Sequence, residues 1–253
     1  EVVMTGSSST AYHVYSGQSI QEAVNSAQSG DTIFVHAGTY YEQVVVNKSV
    51  LLIGEDDGST IIDGNSTGNV ICVTANNVKI TGFTVQNSGL DGSGIRLDYS
   101  SGNNISHNII TNNYFGIDLC YSSNNTLNGN NASNNLWGIY FVDGSSDNVL
   151  TSNIVSSNNY TGIGLYGSGN NNNVLTGNIV SNNRIGIDLS VSSDNVLTGN
   201  TVSSNNWTGI SLHTSNNNVL AGNNVTNNGY GLSYAKNHTI HGYGIALTSC
   251  ENN

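Results

Sequence analysis

The sequence predicts an all-β fold, a single-stranded parallel β-helix that winds three short strands into each coil of about 22–24 residues. Three observations predict it. Gly94, Gly116, Gly138, Gly162, Gly186, Gly209 and Gly231 recur at that spacing, most of them opening a Gly-Ile-x-Leu unit. Asn keeps the same beat in three columns: Asn103, Asn125, Asn148, Asn173, Asn195, Asn218; then Asn108, Asn130, Asn153, Asn178, Asn200, Asn223; then Asn113, Asn135, Asn159, Asn183, Asn206, Asn228. Between the columns apolar residues alternate with polar ones in short runs, as Ile187 and Leu189, then Leu197, then Val202 do, and no window sustains a helical period.

Three strands per unit, each ending in a turn, close one coil, and stacking coils at about 4.8 Å pairs each strand with its copy. Asn suits the corners because it tolerates left-handed backbone and bonds locally, and in register its amides bond along the stack. The first 90 residues are built differently. Ser19 to Glu22 is a capping-box pattern that opens a helix with Ile20, Ala23, Val24 and Ala27 on one face, and Gly30 is placed to stop it. Such a helix shields the unpaired edge of the first coil. The segment from Asp31 to Asn65 reads as the first coil and Asn69 to Gly89 as the second. The layout expected is one domain over 1–253: an extension at 1–17, the capping helix at 18–30, first coils at 31–90, regular coils at 91–247 and a tail at 248–253.

Composition narrows the partners. Sixteen acids against five Lys and Arg give a formal net charge of -11, which repels nucleic acid and anionic lipid. No apolar run approaches the ~20 residues of a membrane-spanning helix. The chain opens at Glu1 without Met or an apolar leader, which reads as a processed or trimmed start. Cys72, Cys120 and Cys250 are too scattered for zinc or redox motifs.

The run from Ser19 through "GDTIFVHAGTYYEQVVVNKSVLLIGEDDGSTIIDGN", with "NVKITGFTVQNSG" and the Gly-Ile-x-Leu coils, resembles the NosD-like, carbohydrate-binding-and-sugar-hydrolase group of right-handed parallel β-helix proteins. The resemblance covers about residues 18 to 247 and rests on core and turn positions, so it implies the right-handed fold more sharply than a function. One departure is Ala37, where such sequences commonly carry Pro. The group includes archaeal surface-layer proteins, a periplasmic protein linked to copper-enzyme maturation, and polysaccharide lyases, hydrolases and epimerases.

Chemistry on a β-helix would sit on an outward ladder. The x of Gly-Ile-x-Leu gives Arg96, Asp118, Tyr140, Gly164, Asp188, Ser211 and Ser233, expected to form a solvated face. Asp118 and Asp188 are three coils apart, roughly 14 Å, too far for a glycosidase pair. Arg96 and Asp118 can pair, worth about 0 to 1 kcal/mol if exposed. Lys48, Lys79, Arg96, Arg184 and Lys236 supply no adjacent cations for a lyase. Asp143, Asp147 and Asp194 read as turn acids rather than a Ca²⁺ site, and His238 and His241 fall on opposite faces of a strand rather than forming a metal site. No catalytic, metal or cofactor residues are assigned.

Two weaker signals remain. Tyr114, Tyr160 and Trp207 share one column two residues before the Gly, alternating with Leu136 and Arg184, and are candidates for stacking on sugar rings. Asn47, Asn65, Asn104, Asn124, Asn131, Asn159, Asn206, Asn224 and Asn237 fit the glycosylation sequon, a number that this composition produces by chance. The expectation is a non-enzymatic extracellular β-helix of a surface layer, fibre or adhesin. A polysaccharide-binding or polysaccharide-active module is the alternative, and a periplasmic NosD-like maturation factor the third. Residues 1–15 have no place in the repeat and Gly244 to Leu247 reads as an uncapped last coil. Head-to-tail assembly into a homo-oligomer or filament through these ends is therefore a further expectation.

Overall fold

Strands of successive coils pair in parallel and in register in the computed structural model, which describes residues 9–234, 240–241 and 246–248. Three sheets run along about nine coils. The first starts at Ala11–Val14 and ends at Ile240–His241, the second runs from Gly38–Tyr41 to Ala246–Thr248, and the third from Val44–Val46 to Tyr230–Tyr234. In the third sheet the strands lengthen from three residues to six at Ser93–Asp98, and Phe115–Cys120, Trp137–Val142, Thr161–Tyr166, Ile185–Ser190 and Thr208–His213 follow. This long-strand sheet carries the Gly-Ile-x-Leu units.

Alternation decides what is inside. Ile117 and Leu119, Ile163 and Leu165, Ile187 and Leu189 are fully buried, as are Leu197 and Val202 from the other two sheets. Identical residues stack, as Leu150, Leu175, Leu197 and Leu220 do. The opening glycines Gly94, Gly116, Gly138, Gly162 and Gly186 are packed too closely for any side chain. A Cβ on Gly138 would stand 2.4 Å from the Gly162 carbonyl oxygen and 2.5 Å from Val155 Cγ1.

Corners divide the work between two residues. The first takes left-handed backbone: Asn124, Asp147, Asn172, Asp194 and Asn217 have φ between 56° and 59° in one corner column. The second is the ladder Asn, buried. Asn125 donates its backbone N–H to Asn148 Oδ1 at 2.8 Å and its Nδ2 both to that oxygen and to the Ser100 carbonyl. The left-handed residue is thus the one before the ladder Asn, not the ladder Asn itself. The third column also shifts. It runs Asn113, Asn135, Asn158, Asn183, Asn205, Asn228, so Asn159 and Asn206 are exposed neighbours of the ladder. The ladder Asn stands three residues after the inward Val155 or Val202. The extra residue in these coils falls later, between the ladder Asn and the Gly.

The first coils also differ from expectation. Leu51–Gly54 lies on Thr32–Val35 and so opens the second coil, which Ile71–Val73 closes by pairing with Val44–Val46. Without Asn columns these coils offered no marker for the boundary. The N-terminal segment is used at home: Ala11–Val14 pairs with Thr32–Val35 of its own first coil, so these residues are not a free strand for a neighbour. Residues 1–8 and 244–245 lie outside the described residues.

The helix α1 (Ile20–Ser26) buries Ile20, Val24 and Ala27 over the first coil. Ser19 Oγ accepts from the Glu22 N–H, half of the expected box. The other partner is distant in sequence: the Glu42 carboxylate accepts from Ser19 Oγ and from the Ile20 and Gln21 N–H groups, an anion at the positive helix end. The helix ends at Ala27 in extended backbone, ahead of Gly30, which turns the chain at φ 97°. Ala37 donates its N–H to Glu55 Oε2 at 2.9 Å, a bond that Pro cannot make, and that bond is the main reason the Glu55 carboxyl sits below the ordinary range.

Candidate functional site

The long-strand sheet carries a run of aromatic rings along its outer side. Phe115, Trp137 and Tyr140 pack together, and Tyr140 meets Tyr166 with centroids 5.3 Å apart. Trp137 stacks on Tyr160 at 5.1 Å and stands at 86° to Tyr166. Arg184 lies between Tyr160 and Trp207, its guanidinium carbon 5.9 Å and 5.2 Å from the two centroids. Trp137, Tyr160, Tyr166, Arg184 and Trp207 border a cleft of about 330 Å³, closed by Thr161, Ile185 and Asp188.

The ladder of Arg96, Asp118, Tyr140, Gly164 and Asp188 has the expected register. It is not the solvated face expected: Asp118 is 2% and Asp188 7% exposed. Large side chains from the flanking outward positions lie over it. Tyr166 folds back across Gly164, where a Cβ would stand 2.2 Å from the ring, and its hydroxyl donates to Asp188 Oδ2 at 2.8 Å. Burial and the Asp188 charge push the Tyr166 phenol up. Asp188 Oδ1 is buried and has no hydrogen-bond partner among the described residues.

At the other end Asp118 Oδ2 accepts from Arg96 Nη1 and from Ser93 Oγ, while Arg96 Nη2 reaches Asp98 at 3.0 Å. The pair is therefore largely buried at its acid, not the exposed pair that sequence suggested. Burial outweighs Arg96 and pushes the Asp118 carboxyl up to about 6. Cys72 and Asp118 flank Arg96 in register, Cys120 pairs with Asp98, and burial raises both thiols.

Two of the three column aromatics, Tyr160 and Trp207, meet through Arg184, whereas Tyr114 packs edge-on against Phe115. Sequence reasoning missed Trp137, Thr161, Tyr166 and Ile185. The available signal was Gly164 at the ladder position two residues before Tyr166, a gap for a ring to fill. Of the sequons, Asn47, Asn65, Asn104, Asn124, Asn159, Asn206 and Asn224 are exposed and Asn131 is half-buried. Asn237, Lys236, His238 and Cys250 lie outside the described residues. Asp143, Asp147 and Asp194 occupy exposed left-handed corners.

A three-sided parallel solenoid bearing an aromatic cleft on one face defines the class of protein. The chain belongs to the family described as periplasmic copper-binding protein (NosD), matched over residues 24–188, and residues 138–253 match the right handed beta helix region. Over 96 residues it is 38% identical to a cell surface glycoprotein of Methanothermus fervidus, a match spanning 37% of this chain and 15% of that protein. The fold is similar to the A-module of Azotobacter vinelandii mannuronan C-5 epimerase AlgE4, with TM-score 0.68, 17% identity and 91% and 88% of the two chains covered. It is also similar to pectate lyase Pel9A, with TM-score 0.74, 15% identity and 95% and 79% covered. A third similar structure is the Dettilon tailspike protein, with TM-score 0.64, 15% identity and 94% and 62% covered.

The family description names copper, and the described donors do not fit it. No three His, Cys, Asp or Glu side chains gather as a metal site among the described residues. Cys72 and Cys120 are separated by the Arg96 coil, and the ring nitrogens of His13 and His36, 3.1 Å apart, are engaged in a hydrogen bond with each other.

Proposed function

We propose that the protein is a surface or periplasmic β-helix whose cleft binds a glycan without cleaving it. The observation that carries this reading is the cleft itself: Trp137, Tyr160 and Trp207 provide apolar ring surface, and Thr161, Tyr166, Arg184 and Asp188 provide polar atoms around about 330 Å³. Sugar rings present alternate apolar and hydroxyl faces, so aromatic walls with a few polar groups are the chemistry that recognises them. The rigid ladder holds these side chains in place without a bound partner. The names of the similar glycoprotein, epimerase and lyase support the surface location and a saccharide ligand.

Spacing favours binding without cleavage. Asp118 and Asp188 are three strands apart, roughly 14 Å, against the about 5 to 9.5 Å that glycosidase pairs require. Tyr166, pushed up by burial and bonded to Asp188, is a poor base for uronate chemistry. The test is a glycan array followed by titration calorimetry on wild type and Trp207→Ala. A saccharide hit that weakens tenfold or more in the variant supports the reading. Release of unsaturated uronate or new reducing ends from pectate or alginate would overturn its non-enzymatic part.

A further inference from the structure

Resting on the glycan-binding reading, we infer that the cleft selects a cationic amino-sugar polymer, one with free glucosamine-type ammonium groups, and rejects uronates. Three features of the site converge on this. Asp188 lines the cleft, is 7% exposed, and holds one hydrogen bond, from Tyr166, while its Oδ1 has none among the described residues. A carboxylate buried with one oxygen unbonded is poorly compensated, and a ligand ammonium in the cleft supplies the missing counter-charge.

The walls favour the same sign. Ring faces attract cations, and the site already shows it: Arg184 sits between Tyr160 and Trp207. Its guanidinium lies against those two rings at the exposed rim of the cleft. It forms no ion pair with a carboxylate among the described residues, and it is the only cation lining the cleft. Finally, the chain as a whole carries a formal charge of -11, a field that draws a polycation in and keeps a polyuronate away.

The protein carries its own reporter. Its two tryptophans, Trp137 and Trp207, both line the cleft, so intrinsic tryptophan fluorescence reads this site alone. The experiment titrates wild type with a glucosamine hexamer, an N-acetylglucosamine hexamer and a galacturonate hexamer at pH 6, in low and in moderate salt. The glucosamine hexamer is expected to bind at least tenfold tighter than its acetylated counterpart, to weaken with salt, and to lose about tenfold in Asp188→Asn. The acetylated hexamer should be indifferent to that change, and the uronate should not bind. Equal binding of the acetylated hexamer, or any binding of the uronate, overturns the charge selectivity and leaves the glycan reading standing. Glucosamine binding that ignores both Asp188→Asn and Trp207→Ala is diffuse attraction to the acidic surface and overturns the site. No binding of any of the three overturns the selectivity, and a failed glycan array overturns the reading beneath it.

Discussion

The side-chain amide of Gln21 pairs with both backbone polar groups of Val45: Oε1 accepts the Val45 N–H at 2.6 Å and Nε2 donates to the Val45 carbonyl at 3.3 Å. Val45 is the middle residue of the first strand of the long-strand sheet, which has no earlier strand beside it among the described residues. A helix has no free backbone groups to offer a sheet edge, so one side chain stands in for the absent strand. Lys48 completes the cap from below, donating to the Val24, Asn25 and Ala27 carbonyls at the end of α1.

Gln21→Ala should therefore do more than an exposed helix substitution normally does. Each lost bond is worth about 0.5–1.5 kcal/mol, and the bared edge becomes a template for another chain. The expected outcome is a loss of about 1–2 kcal/mol in urea unfolding and a faster rise of light scattering on heating. Glu22→Ala, one residue on, should change scattering little; equal effects would mean that the edge is protected by something other than Gln21.

The buried Asn ladders make a sharper prediction. Asn153 donates its N–H to Asn178 Oδ1 and its Nδ2 to the Leu127 carbonyl and to Asn178, while its own Oδ1 accepts two bonds from Asn130. Replacing it by Leu deletes the acceptor for two buried donors, each costing about 1–3 kcal/mol when orphaned. Asn153→Leu should cost about 2–6 kcal/mol, although it adds apolar surface to a buried position. Asn159→Leu, at the exposed position that sequence alone places in a ladder, should cost under about 0.5 kcal/mol. Denaturant unfolding of the two variants separates them.

That contrast shows where the sequence was legible. Period-two apolar spacing and recurrent Gly and Asn follow directly from stacking, because a residue that fits one coil fits its copy, so the coils were readable from composition and beat. Asn159 and Asn206 keep the three-residue offset to the following Gly that the other units show, whereas the ladder bonds, made by Asn158 and Asn205, are set by the preceding strand. The cleft was less legible. Tyr160 and Trp207 stood out in a column, but Asp188 looked solvated because nothing in a linear pattern says that Tyr166 bends over Gly164 to cover it. Glu42 and Gln21 act through contacts more than twenty residues apart, which local signals such as a capping box do not contain.

Asp118 gives a pH prediction. Its folded-state value of about 6 lies above the unfolded carboxylate value, so the native state holds this proton more tightly. Its contribution to stability is therefore full below the unfolded value and is lost as pH rises from about 4 to about 6, by up to about 3 kcal/mol. Asp31 and Glu55, whose values are lowered by backbone hydrogen bonds, act in the opposite direction, so the difference between two proteins is the quantity to read. Asp118→Asn should gain stability relative to wild type across pH 4 to 6 and run parallel to it above about 7. Parallel curves throughout would mean that Arg96 keeps the carboxylate charged over the whole range.

Gly164 links the fold to the cleft. Gly to Ala within a strand ordinarily stabilises by about 0.5–1 kcal/mol, since Gly loses the most freedom on folding. Here the three nearest atoms to an added Cβ all belong to the Tyr166 ring, the closest at 2.2 Å. The ring must lift, and its hydroxyl then leaves Asp188 Oδ2 and Thr161 Oγ1, now 2.8 Å and 2.9 Å away. Asp188, with Oδ1 already unbonded, is left buried without the bond that holds it. Gly164→Ala should thus destabilise by about 1–3 kcal/mol, and the Tyr166 phenol, no longer raised by burial and Asp188, should titrate nearer the ordinary tyrosine range in alkaline absorbance spectra. The cause can be isolated by repeating Gly164→Ala in a Tyr166→Ala background, where the Cβ meets no ring and the change should be neutral or slightly stabilising. An equal loss in both backgrounds would place the strain in the backbone of the strand and separate Gly164 from the cleft.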